Sequence, residues 1–560
     1  MTQDTTSTRA PGWSRPPLPP EGEAHFLEDH PFDLVRTPLP ESVLVEEARI
    51  TMRDGVVLAA TVFRPADGSV VPVLATSTPY GKDDYGQWDH FRDAPEGNVP
   101  GGGFYLGQVT VSDHTPFEAP DPGYWVPEGY AVLLVDHPGL GRSDSNPSSG
   151  LGIEERWRDV MAWVEEQEWS TGKVGMSGVS ALCAVQWMAA MDPAPPQLKA
   201  IIPWEGINES GPAGGYGGIP EVAFPEWLGH VWIGPNVNPE AQGPEPALFD
   251  WAYDVSRISV PALVCASFSD QELHSWDTFH AFGRMQSEHK WLYNHRRQKW
   301  GAYYGAPELA LQKAFLDRFL KDDETAFTDQ PRVRLEVNES RDVHKVLTAQ
   351  EWPLPETVYE TWHLDAREGL LAAAEPSTPA AVTIAPAPVD DTDNRAVFDL
   401  TFTEDTDLVG HMVLHLAVEA VGTTDVDLFV GVEKLDAQGD EVYFYSASGG
   451  NANGPVTRGW LRASKRTLDE ARSTAWRPVL DLSTDAPLTP GEITDVTIPL
   501  MPSGTTFRAG ETLRLVVQSW STPGQWEGGE CRVWAAHQEG SARLHTGPGL
   551  GARLVVPRLG

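Results

Sequence analysis

The residues most able to do chemistry begin with Ser177, in Gly175-Met176-Ser177-Gly178-Val179-Ser180. The segment lies between a strand-like run, Lys173 to Met176, and an Ala-rich stretch, Ala181 to Met191, that reads as a helix. A serine forced into a tight strand-to-helix turn presents its hydroxyl as a nucleophile, and Gly175 and Gly178 are small enough to let the two backbones approach. The helix that follows points amide dipoles at negative charge forming nearby. As a bare pattern the segment is weak, because G-x-S-x-G asks for Gly at 179 and finds Val. A serine that merely caps a helix is the competing reading.

A serine at neutral pH needs a base, and the base needs an orienting acid. Where a parallel sheet carries such a serine, these follow it on loops after later strands, acid before histidine. Asp270 comes just past the strand-like run Val260 to Ala266, and His295 just past Trp291 to Tyr293. Asp277 is a rival to Asp270, and His274, His280 and His289 are rivals to His295, each farther from a strand end. The oxyanion of an acyl-transfer reaction also needs donors. The backbone amide of Gly178 is one candidate, and the hydroxyl of Tyr80, in the loop Ser77 to Lys82, is the other. Packing beneath that loop is the competing role for Tyr80. Trp204, Glu205 and Glu209 are candidates for contacting substrate. The two glutamates could meet an α-ammonium group, against the ordinary reading of a solvated acidic face.

Positioning these residues calls for alternating strands and helices. Val43 to Thr51 and Val56 to Arg64 flank an Asp-Gly pair and read as a hairpin. Val71 to Thr76, Ala131 to Val135 and Leu198 to Pro203 are short apolar runs typical of strands covered on both faces. Ile153, Trp157, Val160, Met161 and Val164 recur at helical spacing, as do Leu311, Phe315 and Phe319 within Glu308 to Lys321. The expected fold class is α/β, with a second, β-rich part after it. The expected organisation is a flexible tail over 1–35, an α/β domain over 36–204 and 256–327, a cap insertion over 205–255, and a C-terminal β domain over 328–560.

Of 560 residues, 80 are acidic and 41 basic, a net charge of −39. That sign opposes long-range attraction to nucleic acid or to an anionic membrane surface. Three cysteines, Cys183, Cys265 and Cys531, give neither a disulfide framework nor zinc spacing. No apolar run reaches the length of a membrane span, and Met1 to Ala24 has no apolar core of a signal peptide. A cytoplasmic protein is expected. Nucleotide, flavin and metal motifs are absent from the sequence, so no cofactor and no metal are expected. Nothing in the sequence argues for one oligomeric state.

Several longer motifs resemble the CocE/NonD family, the cocaine esterase and X-prolyl dipeptidyl-peptidase-like group of α/β-hydrolases. They are Met52-Arg-Asp-Gly-Val-Val-Leu-Ala-Ala-Thr-Val-Phe-Arg-Pro65, Thr78-Pro-Tyr-Gly-Lys82, Glu168-Trp-Ser-Thr-Gly-Lys-Val-Gly-Met-Ser177 and Lys313-Ala-Phe-Leu-Asp-Arg-Phe-Leu-Lys321. The resemblance implies an α/β-hydrolase domain with an inserted cap and a C-terminal jelly roll. It also implies Ser177 as nucleophile, Asp270 and His295 as its partners, and the Tyr80 hydroxyl with the Gly178 amide as oxyanion donors. The family's usual Ser-Tyr-x-Gly is replaced after Ser177, with Gly178 and Ser180 in the Tyr and Gly places. Its Asp-x-Arg-Gly reads Asp136-His-Pro-Gly139 here. The expected function is a serine hydrolase of small carboxylic esters working through an acyl-enzyme. An amidase or acylase, an X-Pro aminopeptidase, an acyltransferase and a non-catalytic binding protein stay open as alternatives.

Overall fold

The apolar runs assemble into one long twisted sheet in the computed structural model, which describes residues 33–88, 108–208, 215–221, 234–241, 253–386, 394–445, 454–520, 536–537 and 539–560. In chain order the elements that build the site are β1 (Val43–Thr51), β2 (Val57–Pro65), β3 (Val71–Thr78), β4 (Ala131–Asp136), α1 (Ile153–Glu165), β5 (Ser170–Val179), α2 (Ala181–Ala190) and β6 (Leu198–Trp204). They continue with β7 (Ala262–Ser267), α3 (Ser275–Arg284), β8 (Lys290–His295), α4 (Lys299–Tyr303), α5 (Ala306–Leu320), β9 (Val333–Asn338) and β10 (His344–Ala349). The strands lie in the order β1-β2-β4-β3-β5-β6-β7-β8-β9-β10, parallel from β4 through β9. The β1–β2 hairpin turns at Gly55, whose φ of +87° suits glycine.

Alternate side chains of the central strands feed two cores, as period-two geometry requires. Val73 and Ala75 of β3 pack with Val160 and Met161 of α1, Met188 of α2 and Phe279 of α3. Leu74, between them, packs on the opposite face with Phe315, Leu316 and Leu320 of α5. Helices therefore cover both faces, and the ends of β5, β6, β7 and β8 lie side by side at one edge. Among the described residues no helix is long and apolar enough to cross a membrane.

From Thr357 onward the described residues are almost all strand and loop, with a single 3₁₀ turn at Ala463–Lys465, a jelly-roll arrangement of mainly antiparallel pairs around its own core of Leu414, Leu416, Val430, Leu515 and Leu554 among others. Asp427–Leu435 lies between Thr457–Arg462 and Thr512–Gln518, and Val413–Val421 pairs with Ile493–Pro499 and Ser541–Thr546. The run at Val333–Asn338, which the sequence suggests for the C-terminal part, pairs with β8 through Leu292 and Tyr293, and Asn338 meets Thr505 of the jelly roll. One sheet thus runs from the first part toward the second.

Candidate active site

The strained turn falls at Ser180. Strand β5 runs three residues beyond Met176, to Val179, and helix α2 begins at Ala181. The residue between them, Ser180, has φ 56° and ψ −115°, a conformation that costs a non-glycine residue about 1–3 kcal/mol and that the sharp nucleophile turn demands. The Ser180 amide donates to Trp204 O at 3.0 Å, which fixes the turn against the end of β6. Gly178 must be glycine: a Cβ there would stand 2.7 Å from Leu182 Cβ, and its φ is +149°.

A complete hydrogen-bonded chain leads from that serine. Ser180 Oγ lies 2.9 Å from His274 Nε2, and His274 Nδ1 lies 2.5 Å from Asp270 Oδ2. His274 caps the N-terminus of α3, four residues past Asp270, so one turn of chain carries both groups. Histidine and aspartate are fully buried, while Ser180 is partly exposed. The Lys299 ammonium, from the start of α4, sits 2.9 Å from Asp270 Oδ2 and 3.2 Å from His274 Nδ1. Burial alone would push the Asp270 carboxyl up; the charges of Lys299 and His274 outweigh it and hold the group well below the usual carboxylate range. Burial, and then the Lys299 charge, lower the proton affinity of His274. That favours the neutral imidazole, with Nδ1–H directed at Asp270 and Nε2 free to accept from Ser180.

Ser177 lies elsewhere. It is inside β5, fully buried, with Oγ 2.9 Å from the Tyr303 hydroxyl, so the expected turn at Ser177 is displaced by three residues. His295 is the last residue of β8, and its Nε2 meets Glu205 Oε1 at 2.8 Å instead of Asp270. Glu205 Oε2 accepts from Ser267 Oγ at 3.0 Å, so Glu205 is a buried acid and no part of a solvated face. Trp204 is buried, its ring stacked on His295 at 5.7 Å. Glu209 lies outside the described residues. Gly178 also stands within β5, and its carbonyl accepts from Gln186 Nε2 and Cys183 Sγ. The amide that follows the strained serine is that of Ala181.

Tyr80 comes just after β3, which pairs with β5, so its loop stands beside the turn. Its ring packs edge-on against Phe117, and its hydroxyl hydrogen-bonds the buried Glu118. Glu118 is bound to the turn as well, since its carbonyl accepts the Val179 amide at 3.1 Å. Burial pushes the Glu118 carboxyl up to about 8, despite Lys299, Trp300 and Tyr80.

Two Gly-x-Ser motifs stand end to end here, at 175–177 and 178–180. The signal that separates them is adjacency to the helix: Ala181 opens the Ala-rich run directly after Ser180. With Ser180 in the turn, the family's Ser-Tyr-x-Gly falls on Ser180-Ala181-Leu182-Cys183. Ligand atoms of Glu205, Asp270 and His274 also lie within 4.8 Å of one another, as a metal site would require, but Lys299 already brings positive charge against Asp270. A cavity of about 310 Å³ lies between Trp276 of α3 and the jelly roll, with Tyr216, Trp460 and Met501 also in its walls.

A strained serine turn at the end of a parallel strand, acid and histidine together after one later strand, and an appended jelly roll define an α/β-hydrolase with a C-terminal β domain. Residues 54–230 match the family model for X-Pro dipeptidyl-peptidase (S15 family), and 325–554 match the X-Pro dipeptidyl-peptidase C-terminal non-catalytic domain. A CocE/NonD family hydrolase of Staphylococcus aureus has a structure similar at a TM-score of 0.82, with 33% identity, covering 92% of this chain and 94% of its own. The chain belongs to the CocE/NonD family of hydrolases. Cocaine esterase from Rhodococcus sp. (strain MB1 Bresler) is 24% identical over 91% of this chain and 97% of its own. A Bacillus anthracis protein named for Xaa-Pro dipeptidyl-peptidase activity is 31% identical over 25% of each chain.

Proposed function

We propose that this hydrolase cleaves carboxylic esters through Ser180 as nucleophile, His274 as general base and acid, and Asp270 as the group that orients the imidazole. The observation that carries the reading is the continuous chain Ser180 Oγ, His274 Nε2, His274 Nδ1, Asp270 Oδ2, starting from a strained serine. Ser180 Oγ attacks the ester carbonyl carbon as its proton passes to His274 Nε2. The oxyanion takes a hydrogen bond from the Ala181 amide, at the start of α2, and one from the Tyr80 hydroxyl when Glu118, raised to about 8, is protonated and leaves the phenolic proton free. Collapse expels the alcohol, which receives the proton from His274. Water then attacks the acyl-enzyme with the same histidine as base, and Ser180 is released. Ester rather than peptide substrates are favoured because cocaine esterase aligns over nearly the whole chain, whereas the dipeptidyl-peptidase relative aligns over a quarter of it.

Turnover of nitrophenyl esters by wild type, Ser180→Ala and Ser177→Ala tests this. Ser180→Ala is expected to lose at least about 10³-fold in kcat, on the order seen when a triad member is removed. Ser177→Ala, which loses only a buried hydroxyl contact with Tyr303, should keep most of its turnover. The reverse pattern would return the role to Ser177.

A further inference from the structure

Asp270 and His274 are separated by Gln271, Glu272 and Leu273, and each of the three is tied outward. Gln271 Nε2 donates to Val456 O at 2.8 Å, and the Glu272 carboxylate forms an ion pair with the Arg458 guanidinium. The Leu273 carbonyl accepts the Tyr216 hydroxyl at 3.0 Å. On the near flank, Gly504 of the jelly roll packs so close to Phe268 that a Cβ on it would stand 2.6 Å from the ring. Val456 and Arg458 belong to the jelly roll, at and beside the strand Thr457–Arg462. That strand is itself anchored, by its pairing with Asp427–Leu435 and by the Arg458 carbonyl, which accepts the Met501 amide at 2.8 Å.

We propose that the jelly roll, through Arg458 and the Val456 carbonyl, holds the turn that sets acid and base in register, and that Arg458 is a positioning residue for the reaction. This rests on the Ser180–His274–Asp270 reading above. Arg458 and Glu272 are both buried, and burial pushes the guanidinium down to about 9. A buried ion pair adds little net stability over apolar side chains of similar volume. What it adds is direction: the planar guanidinium fixes where the carboxylate can lie, and Glu272 sits two residues from each member of the catalytic pair. The segment matching a model described as non-catalytic thereby contributes to catalytic geometry.

The test uses the full chain, a nitrophenyl ester and an active-serine phosphonate. Glu272→Met combined with Arg458→Met removes the pair without leaving either charge buried alone. The expected variant is folded, takes up phosphonate at Ser180 to full stoichiometry, and keeps KM within about twofold, while kcat falls about ten- to a hundredfold, the scale set by a displacement near 1 Å. Wild-type kcat in that folded variant overturns the proposal. If the double variant does not fold, Gln271→Met decides in the same way: lower kcat at unchanged KM supports the proposal, and unchanged kcat overturns it. Wild-type chain that takes no phosphonate at Ser180 overturns the catalytic reading itself, a failure visible before any variant is compared.

Discussion

Lys299 places a positive charge where water does not reach, and it lowers the proton affinity of both its neighbours. Burial would strip the proton from the ammonium, but the carboxylates of Asp270, Glu205 and Glu118 raise its proton affinity above the usual lysine value, so it stays charged. The same charge keeps Asp270 ionised and makes His274 a weaker base toward protons. A histidine with lowered pKa remains neutral, and active as a base, to pH values below its usual 6.5. The acid limb of kcat/KM is therefore expected below about 6.5. Lys299→Met removes the cation, raises the proton affinity of His274 and should move that limb toward higher pH. A limb that stays in place, measured across pH 4 to 8, would separate Lys299 from the titration.

At the scale of elements, the end of β5 decides the chemistry. The sequence suggests a strand at Lys173 to Met176, and the strand extends to Val179 because β6 continues to pair with it: Ser177 faces Ile202, Gly178 faces Pro203, and Val179 faces Trp204. Strand length is set by the neighbour available for hydrogen bonding, which local composition does not report. Helix α1 was legible, since Ile153, Trp157, Val160, Met161 and Val164 all lie on its buried face. At Gly178 strand and helix approach so closely that a Cβ would stand 2.7 Å from Leu182 Cβ. Gly178→Ala should cost about 1–3 kcal/mol, because the φ is unsuited to alanine and the methyl group meets Leu182. Kinetic assays of the same variant should show reduced kcat as the turn is displaced, and wild-type melting together with wild-type kcat would refute this account of the glycine.

For the whole molecule, aromatic rings from both parts meet at the junction between them. His411 sits in it, 5.2 Å from Trp276, 5.5 Å from Trp476 and 6.4 Å from Trp352. Burial pushes His411 down to about 3, and His137, buried just past the end of β4, also to about 3. In the unfolded chain both titrate near their usual 6.5, so below that pH the unfolded state binds protons that the folded state refuses. Stability then falls as pH drops from about 6.5 toward 3, by about 1.4 kcal/mol per pH unit for each histidine. Urea unfolding of His411→Phe between pH 6 and 4.5 should show a pH slope shallower than wild type by about that amount. Parallel slopes would mean that His411 takes up a proton without unfolding the junction.

Local patterns in the chain were enough for the α/β alternation, the β-rich part after it, the strand-turn-helix around a serine, Asp270 at a strand end, and the family resemblance with the jelly roll it implies. These follow from apolar periodicity, small residues at a tight turn and motifs contiguous in the chain. Which of two consecutive Gly-x-Ser motifs occupies the turn, and which histidine reaches it, depends on the assembled sheet. His274 meets Ser180 across 94 residues, and His295 is drawn to Glu205 across 90. Such pairings depend on where the strand ends lie and on what the buried charges Lys299, Glu205 and Asp270 compel around them. No local pattern carries that information, because the free energy that selects one pairing comes from groups brought together by the whole sheet.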